Sequence, residues 1–223
     1  MGVYLKVENL AKKFKENTVL RDVSLTCEQG KIYGITGYNG CGKSVFFKCL
    51  CGLEKEDAGE ITVLGKRKPA GELLDSVGII IEEPAFLGNK SGIKNLEYLY
   101  ELRNKKNMQH LADTMEKVGL DPRSRKHVGK YSLGMRQRLA IAQAIMEEPE
   151  VLILDEPMNG LDKDGVQEMR NLFLEMKEHG KTILLASHNR EDIEVLCDEV
   201  YEMEKGMLKL LRTKNGDMAG EKY

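Results

Sequence analysis

The chain has 223 residues, of which 41% are hydrophobic, 31% charged and only 6% aromatic. That is enough for one compact domain of this length, or one with an inserted lobe, and too little for two independent copies of such a domain. A net charge of −2, from 34 Lys and Arg against 36 Asp and Glu, gives no basic excess for nucleic acid, and the composition is not that of a disordered chain.

The longest apolar stretches, such as residues 151–154, fall far short of the roughly 20 residues that span a bilayer. The opening MGVYLKVENL lacks the charged leader, apolar core and cleavage site of a secretory signal. Lys6 stands where myristoylation of Gly2 would want Ser or Thr. Cys27, Cys41, Cys49, Cys51 and Cys197 are odd in number and show no Cys-x-x-Cys spacing, so reduced thiols in a cytoplasmic compartment are expected.

In chain order, residues 4–7, 23–27, 31–36 and 61–64 read as short strands bounded by Gly, Asn or Glu. A nearly continuous apolar run at 77–81 predicts a strand covered on both faces. From 89 to 148 the pattern is helical. Ile93, Leu96, Leu99 and Leu102 share one helical spacing and Leu111, Met115 and Val118 another, with Gly119 at a helix stop. Ser132 is placed to cap a helix that runs through Leu139, Ala142 and Ile145 and stops before Pro149. A buried strand follows at 151–154, then a helix through Val166, Met169, Phe173 and Met176 that ends near Gly180. Residues 182–186 form another buried strand and 192–197 a short helix. Residues 199–203 and 207–211 read as a hairpin turning at Gly206, and 212–223 as a polar, mobile tail. This alternation predicts an α/β fold with a mostly parallel sheet, an antiparallel extension and a helical insert.

GYNGCGKS, residues 37–44, fits the phosphate-loop pattern G-x-x-x-x-G-K-[ST]. A predicted strand precedes it and a helical stretch at 45–50 follows, which argues against a chance Gly-rich turn. Gly37, Gly40 and Gly42 let backbone N–H groups wrap phosphates without Cβ clashes, and the helix N-terminus adds partial positive charge. Tyr38, Asn39 and Cys41, between those glycines, are candidate nucleotide contacts with them. Lys43 can reach the β and γ phosphates, and the Ser44 hydroxyl can ligate Mg²⁺. VLILDEP at 151–157 is an apolar strand ending in acids. It delivers Asp155 to the phosphate edge, where it can hold Mg²⁺ through water, and Glu156 can polarise the attacking water. The competing view, two acids on a solvated turn, leaves the metal without a second anchor.

With three further motifs the chain resembles the ATP-binding cassette (ABC) ATPases. YSLGMRQRLAIAQAI at 131–145 looks like the family signature LSGGQ with its basic, Ala-rich helix, and NGLD at 159–162 looks like the D-loop. Ser187 and His188 look like the switch-histidine segment, and Phe14 in AKKFKEN occupies the place of the aromatic that stacks on adenine. The resemblance runs from about Val3 to about Leu211. It implies a P-loop NTPase (RecA-like) core with an antiparallel β subdomain over 1–88 and 149–211. A helical subdomain inserted at 89–148 carries the signature, all within a single domain. The ligands implied are ATP and Mg²⁺, with Lys43, Glu156 and His188 catalytic. Two cassettes would pack head to tail, a homodimer with ATP, so that Ser132 and Gly134 of one face the γ-phosphate held by Lys43 of the other. The other implied partner is a membrane-spanning transporter subunit, which would hold the chain at the inner face of the cell membrane; no nucleic acid is expected.

The sequence departs from the family pattern in places. Glu82, in IIIEEPAF, replaces the usual Gln, and is expected to keep metal contact while changing the charge near the γ-phosphate. Leu133 and Met135 replace a Gly and the Gln of the signature, and Val45 replaces a Thr, losing a hydroxyl but not the N–H. IEEPAF together with YSLGMRQR resembles the exporters of bacitracin- and lantibiotic-type resistance. The turn Pro84, Ala85 and Phe86 either receives a helix from a membrane partner or packs beneath the helical insert.

Two other classes compete. A soluble ABC clamp on nucleic acid or ribosomes would carry two cassettes, a coiled-coil insertion or a basic linker, and a phosphate-loop kinase would carry a lid with an Arg cluster; neither is seen. His110, His127 and His179 have no paired ligands and are expected on solvated surface, without structural zinc. The run Arg103, Lys105 and Lys106 reads as a solvated face. Cys41 is either inert through burial or oxidation-sensitive beside positive charge.

Overall fold

A computed structural model describes residues 2–74, 77–82 and 85–214. Pro84 and the polar tail beyond Lys214 therefore lie outside the described residues. Two sheets carry the chain. The first is antiparallel, with strand order β2-β1-β4-β5: β1 (Val3–Phe14), β2 (Asn17–Glu28), β4 (Ala58–Val63) and β5 (Lys66–Arg67). The second has the order β10-β9-β3-β8-β7-β6. In it β9 (Glu199–Glu204), β3 (Ile32–Thr36), β8 (Thr182–Ala186), β7 (Val151–Asp155) and β6 (Val77–Ile80) run parallel, and β10 (Met207–Thr213) closes the edge antiparallel to β9.

The apolar runs at β7 and β8 are continuous because both faces of this sheet are covered. Leu152, Leu154, Ile183 and Leu185 face one core, while Val151, Ile153, Leu184 and Ala186 face the other. The first core is filled from α4 (Leu133–Ile145) and α5 (Lys163–Glu178) and from α2 (Gly92–Tyr100) and α3 (Met108–Lys117). The second is filled by Phe46, Phe47 and Leu50 of α1 (Lys43–Cys51) and by the inward residues of β1 and β2. The last helix is α6 (Arg190–Leu196). No helix among the described residues is long and apolar enough to cross a membrane.

Helix starts follow side-chain chemistry. Ser132 Oγ accepts from Met135 N at 3.2 Å, Asp162 Oδ1 from Gly165 N at 2.9 Å and Asn189 Oδ1 from Glu191 N at 2.9 Å. Asn189 explains why α6 opens two residues before the expected 192. Leu102 shares the spacing of α2 but lies beyond its end and is 78% exposed. β1 and β2 are each 12 residues long, well beyond the expected 4–7 and 23–27. Register shifts and the left-handed residues Asn9 (φ 53°) and Asp22 (φ 54°) carry the pairing through segments where apolar alternation lapses.

One close approach ties the layers together. A Cβ on Gly78 of β6 would lie 2.2 Å from the Ala144 carbonyl oxygen of α4 and 2.9 Å from Pro149 Cγ, so the helix rests directly on strand backbone. His110, expected on a solvated face, is half-buried, with Nε2 2.6 Å from Met146 O. Lys106, read as part of a solvated run, reaches the buried Glu97 carboxylate, as does Lys94.

Those ammonium groups, Lys106 first and Lys94 second, hold the Glu97 carboxyl below the usual carboxylate range. Its contribution to stability is therefore full above the unfolded value of about 4.3 and is lost as pH falls through the lower folded value. Glu97→Gln should lower the thermal midpoint at pH 7, and the gap from the parent should narrow as pH falls below the usual carboxylate range. A gap that stays constant through that fall would contradict the assignment.

Candidate nucleotide site

The carboxyl ends of the parallel strands meet at one edge, where open α/β sheets place their ligands. β3 leads into the loop 37–42, and Gly37, Gly40 and Gly42 adopt φ of 142°, 83° and 119°. A Cβ at Gly37 would sit 2.4 Å from Met203 O, so this turn excludes any side chain. α1 then starts with Gly42 at its N-cap and no side chain bonded there, which leaves the first-turn N–H groups to face a ligand. Lys43 is buried and folds back on the loop, its Nζ donating to Gly37 O at 2.7 Å and Tyr38 O at 3.3 Å.

β7 brings Asp155 beside α1, and Ser44 Oγ donates to Asp155 Oδ2 at 2.6 Å. Glu156 follows in a left-handed conformation, φ 49°, anchored by its N–H to Ala186 O at 2.9 Å. That turn aims its carboxylate at the segment after β8, where His188 Nδ1 lies 2.8 Å from Glu156 Oε2. Glu82, just past β6 and also left-handed at φ 62°, receives Lys48 Nζ on Oε1 at 2.5 Å. Lys43, Ser44, Val45, Glu82, Asp155 and Glu156 border a single cavity of about 360 Å³, together with Asn39, Gly40 and Gly42 of the loop.

Other expected residues stand apart. Phe14, at the end of β1, is 42% exposed and outside the cavity wall, with Lys12 Nζ 4.8 Å from its ring centroid. His188 and Tyr38 open on a neighbouring cavity of about 590 Å³, on which Gly37 also borders. Cys41 is buried inside the loop. Ser132 and Gly134 do not reach the Lys43 cavity; from the signature segment Leu133 and Gln137 do.

Gln137 and Val19 were not singled out in the sequence, and Leu133 and Asn159 were placed in the signature and the D-loop rather than at this cavity. Gln137 lies four residues after Leu133, on the same helix face, and its Nε2 donates to Pro157 O at 2.7 Å, so helical spacing alone could have found it. Lys48 likewise lies one turn after Ser44. Val19 comes from the other sheet and leaves no local signal.

A glycine loop and lysine at a helix start, facing an acidic strand end, make the chain a P-loop nucleoside triphosphatase. The chain belongs to the ABC transporter family, whose profile matches residues 20–159. It is 41% identical over 206 residues to the uncharacterized ABC transporter ATP-binding protein YybJ of Bacillus subtilis, covering 92% of this chain and 94% of that one. It is 40% identical to the bacitracin transport ATP-binding protein BcrA of Enterococcus faecalis, over 93% of this chain and 68% of the relative. The lantibiotic transport ATP-binding protein SrtF of Streptococcus pyogenes is 36% identical over 95% and 92% of the two chains. Among solved structures, a dimeric bacterial ABC transporter cassette shares the fold at a TM-score of 0.83 and 21% identity, over 93% of this chain and 99% of that one.

The five cysteines are all free and buried. Burial pushes the Cys49, Cys51 and Cys197 thiols up to about 12, and lifts Cys27 well above its ordinary value. The thiolate is the reactive form, which protects those four, and Cys41 is shielded by its burial, so the native protein at pH 8 should resist iodoacetamide at all five positions and take up five labels once unfolded. Fast native labelling of Cys41 would show that the phosphate loop opens.

Proposed function

We propose that the chain hydrolyses ATP to power a membrane exporter of peptide antibiotics or similar compounds, as one of two identical cassettes held against a membrane-spanning subunit at the inner face of the cell membrane. The observation that carries this is the convergence of Lys43, Ser44, Asp155 and Glu156 on one cavity. The peptide class rests on the similarity to the bacitracin and lantibiotic transport proteins. We read the chain as a single domain, with its nucleotide core over 1–88 and 149–211, a helical insert at 89–148 and a tail at 212–223.

The triphosphate lies along the loop 37–44, against the N–H groups at the start of α1. Lys43 exchanges the carbonyls of Gly37 and Tyr38 for the β and γ phosphates. Phe14 stacks on the adenine, and Val45 offers its backbone N–H. Ser44 and Asp155 present two hard oxygens 2.6 Å apart, a donor set that suits Mg²⁺, and Glu82 faces the same cavity with a carboxylate. When bound, Mg²⁺ offsets the charge of the β and γ phosphates. Glu156 orients the attacking water and draws on its proton, while His188 steadies the Glu156 carboxylate and approaches the γ-phosphate. Ser132 and Gly134 do not reach Lys43 within their own chain, so they complete the site of the second cassette. There the α4 N-terminus and the Ser132 hydroxyl face the γ-phosphate. Ala85 and Leu87 are exposed beside the half-buried Phe86, which suits a turn that receives the membrane subunit.

Glu156→Gln should lower ATP turnover by about 10²–10⁴-fold and trap an ATP-bound dimer by gel filtration; a variant that stays monomeric with ATP would overturn the two-cassette reading. The tagged chain, captured from detergent-solubilised native membranes, should bring down a multi-span protein at constant stoichiometry. Recovery with ribosomes or DNA instead would move the chain to the soluble clamps. Glu82→Gln should shift the Mg²⁺ concentration that supports nucleotide binding, and an unchanged Mg²⁺ dependence would remove Glu82 from the metal site.

A further inference from the structure

The segment that carries His188 is fixed from behind. His188 itself is 71% exposed and meets Glu156 on its open side. Its neighbour Ser187 is buried, and so are Asp192 of α6 and Arg170 of α5. Asp192 Oδ1 accepts from Arg170 Nε at 2.9 Å and from Nη2 at 2.5 Å. On its other oxygen, Asp192 Oδ2 accepts from Ser187 Oγ at 3.4 Å. Ser187 Oγ in turn accepts the Asn189 N–H at 3.1 Å. The third guanidinium nitrogen, Arg170 Nη1, lies 3.0 Å from Glu191 Oε1, and Glu191 N donates to Asn189 Oδ1 at 2.9 Å. Both residues that flank His188 are thus bonded, directly or through one neighbour, to the two carboxylates that Arg170 grips.

A buried ion pair contributes little to stability compared with apolar residues of the same volume. Stability alone does not account for an arginine fork here. What the arginine provides is direction: its Nε and Nη2 converge on Asp192 Oδ1 and pin that oxygen, which leaves the second oxygen, Oδ2, for Ser187. Arg170 also belongs to α5, the helix that Asp162 of NGLD caps.

We propose that Arg170 and Asp192 are positioning residues for ATP hydrolysis, which orient the turn 187–189 and so hold His188 in register with Glu156. This rests on the reading of His188 given above. Neither residue touches the nucleotide cavity, and their effect on turnover passes through the imidazole.

The test is a double-mutant cycle on the purified chain, with ATP turnover, ATP affinity and thermal midpoint measured together. Ser187→Ala removes one hydroxyl and Arg170→Met/Asp192→Leu replaces the ion pair with apolar groups; each is made alone and with His188→Ala. Both should melt near the parent and bind ATP as tightly. Turnover should fall roughly tenfold in the paired variant and a few-fold in Ser187→Ala, with no further fall when either is combined with His188→Ala. Losses that multiply in the His188→Ala background, or parental turnover in a folded variant, overturn the positioning role. If the paired variant does not fold, Ser187→Ala decides by the same criterion. A His188→Ala protein with parental turnover would instead overturn the role of His188 itself, and the positioning proposal with it. Loss in His188→Ala with multiplying effects removes only the positioning role.

Discussion

Ser44 and Asp155 meet at 2.6 Å although 111 residues separate them. They meet because β3 and β7 flank β8 in one parallel sheet, so the helix that follows β3 and the acid that ends β7 arrive at the same edge. A parallel sheet of this kind is stable only when both faces are covered. The packing of α1 against one face and of α4 and α5 against the other is therefore the condition for the site, as well as for the fold. Glu156 depends on the same register, since its N–H is held by Ala186 at the end of β8. A slip of one residue between β7 and β8 would separate Glu156 from His188 and exchange the two cores at once.

What could be seen in the sequence follows from how local each cause is. The strands at 151–155 and 182–186 were legible because burial on two faces writes an uninterrupted apolar run. Ser132 and the glycines of the loop announce themselves because capping and left-handed turns narrow the choice of residue at a single position. The full lengths of β1 and β2 were not legible, since left-handed residues such as Asn9 and Asp22 carry the pairing across polar stretches. Val19 in the cavity wall and the Arg170–Asp192 pair come together only through tertiary packing, and neither has a pattern along the chain. His110 was misjudged for the same reason: its partner is a backbone carbonyl 36 residues away.

The departures from the family pattern have structural counterparts. Leu133, standing where the signature has a glycine, lays its side chain against the turn at 159–162. There Gly160 is left-handed at φ 79°, and a Cβ would come within 2.5 Å of Leu133 Cδ2. The bulk added in one motif is accommodated by the bareness of the next. Glu82 follows the same logic in charge. A carboxylate in place of an amide adds negative charge to the cavity wall, and Lys48, one turn along α1 from Ser44, lies against it.

The contact between Gly78 and Ala144 bears on how far this sequence can vary. Position 78 has an ordinary strand conformation, so backbone strain does not confine it to glycine. The confinement comes from the helix lying against it, whose carbonyl oxygen occupies the place of any β-carbon. A mutational scan of the chain should therefore find at position 78 an intolerance that extends even to alanine. Substitutions that let the end of α4 lift from the sheet would be the ones that relieve it, so changes at the two positions should be energetically coupled.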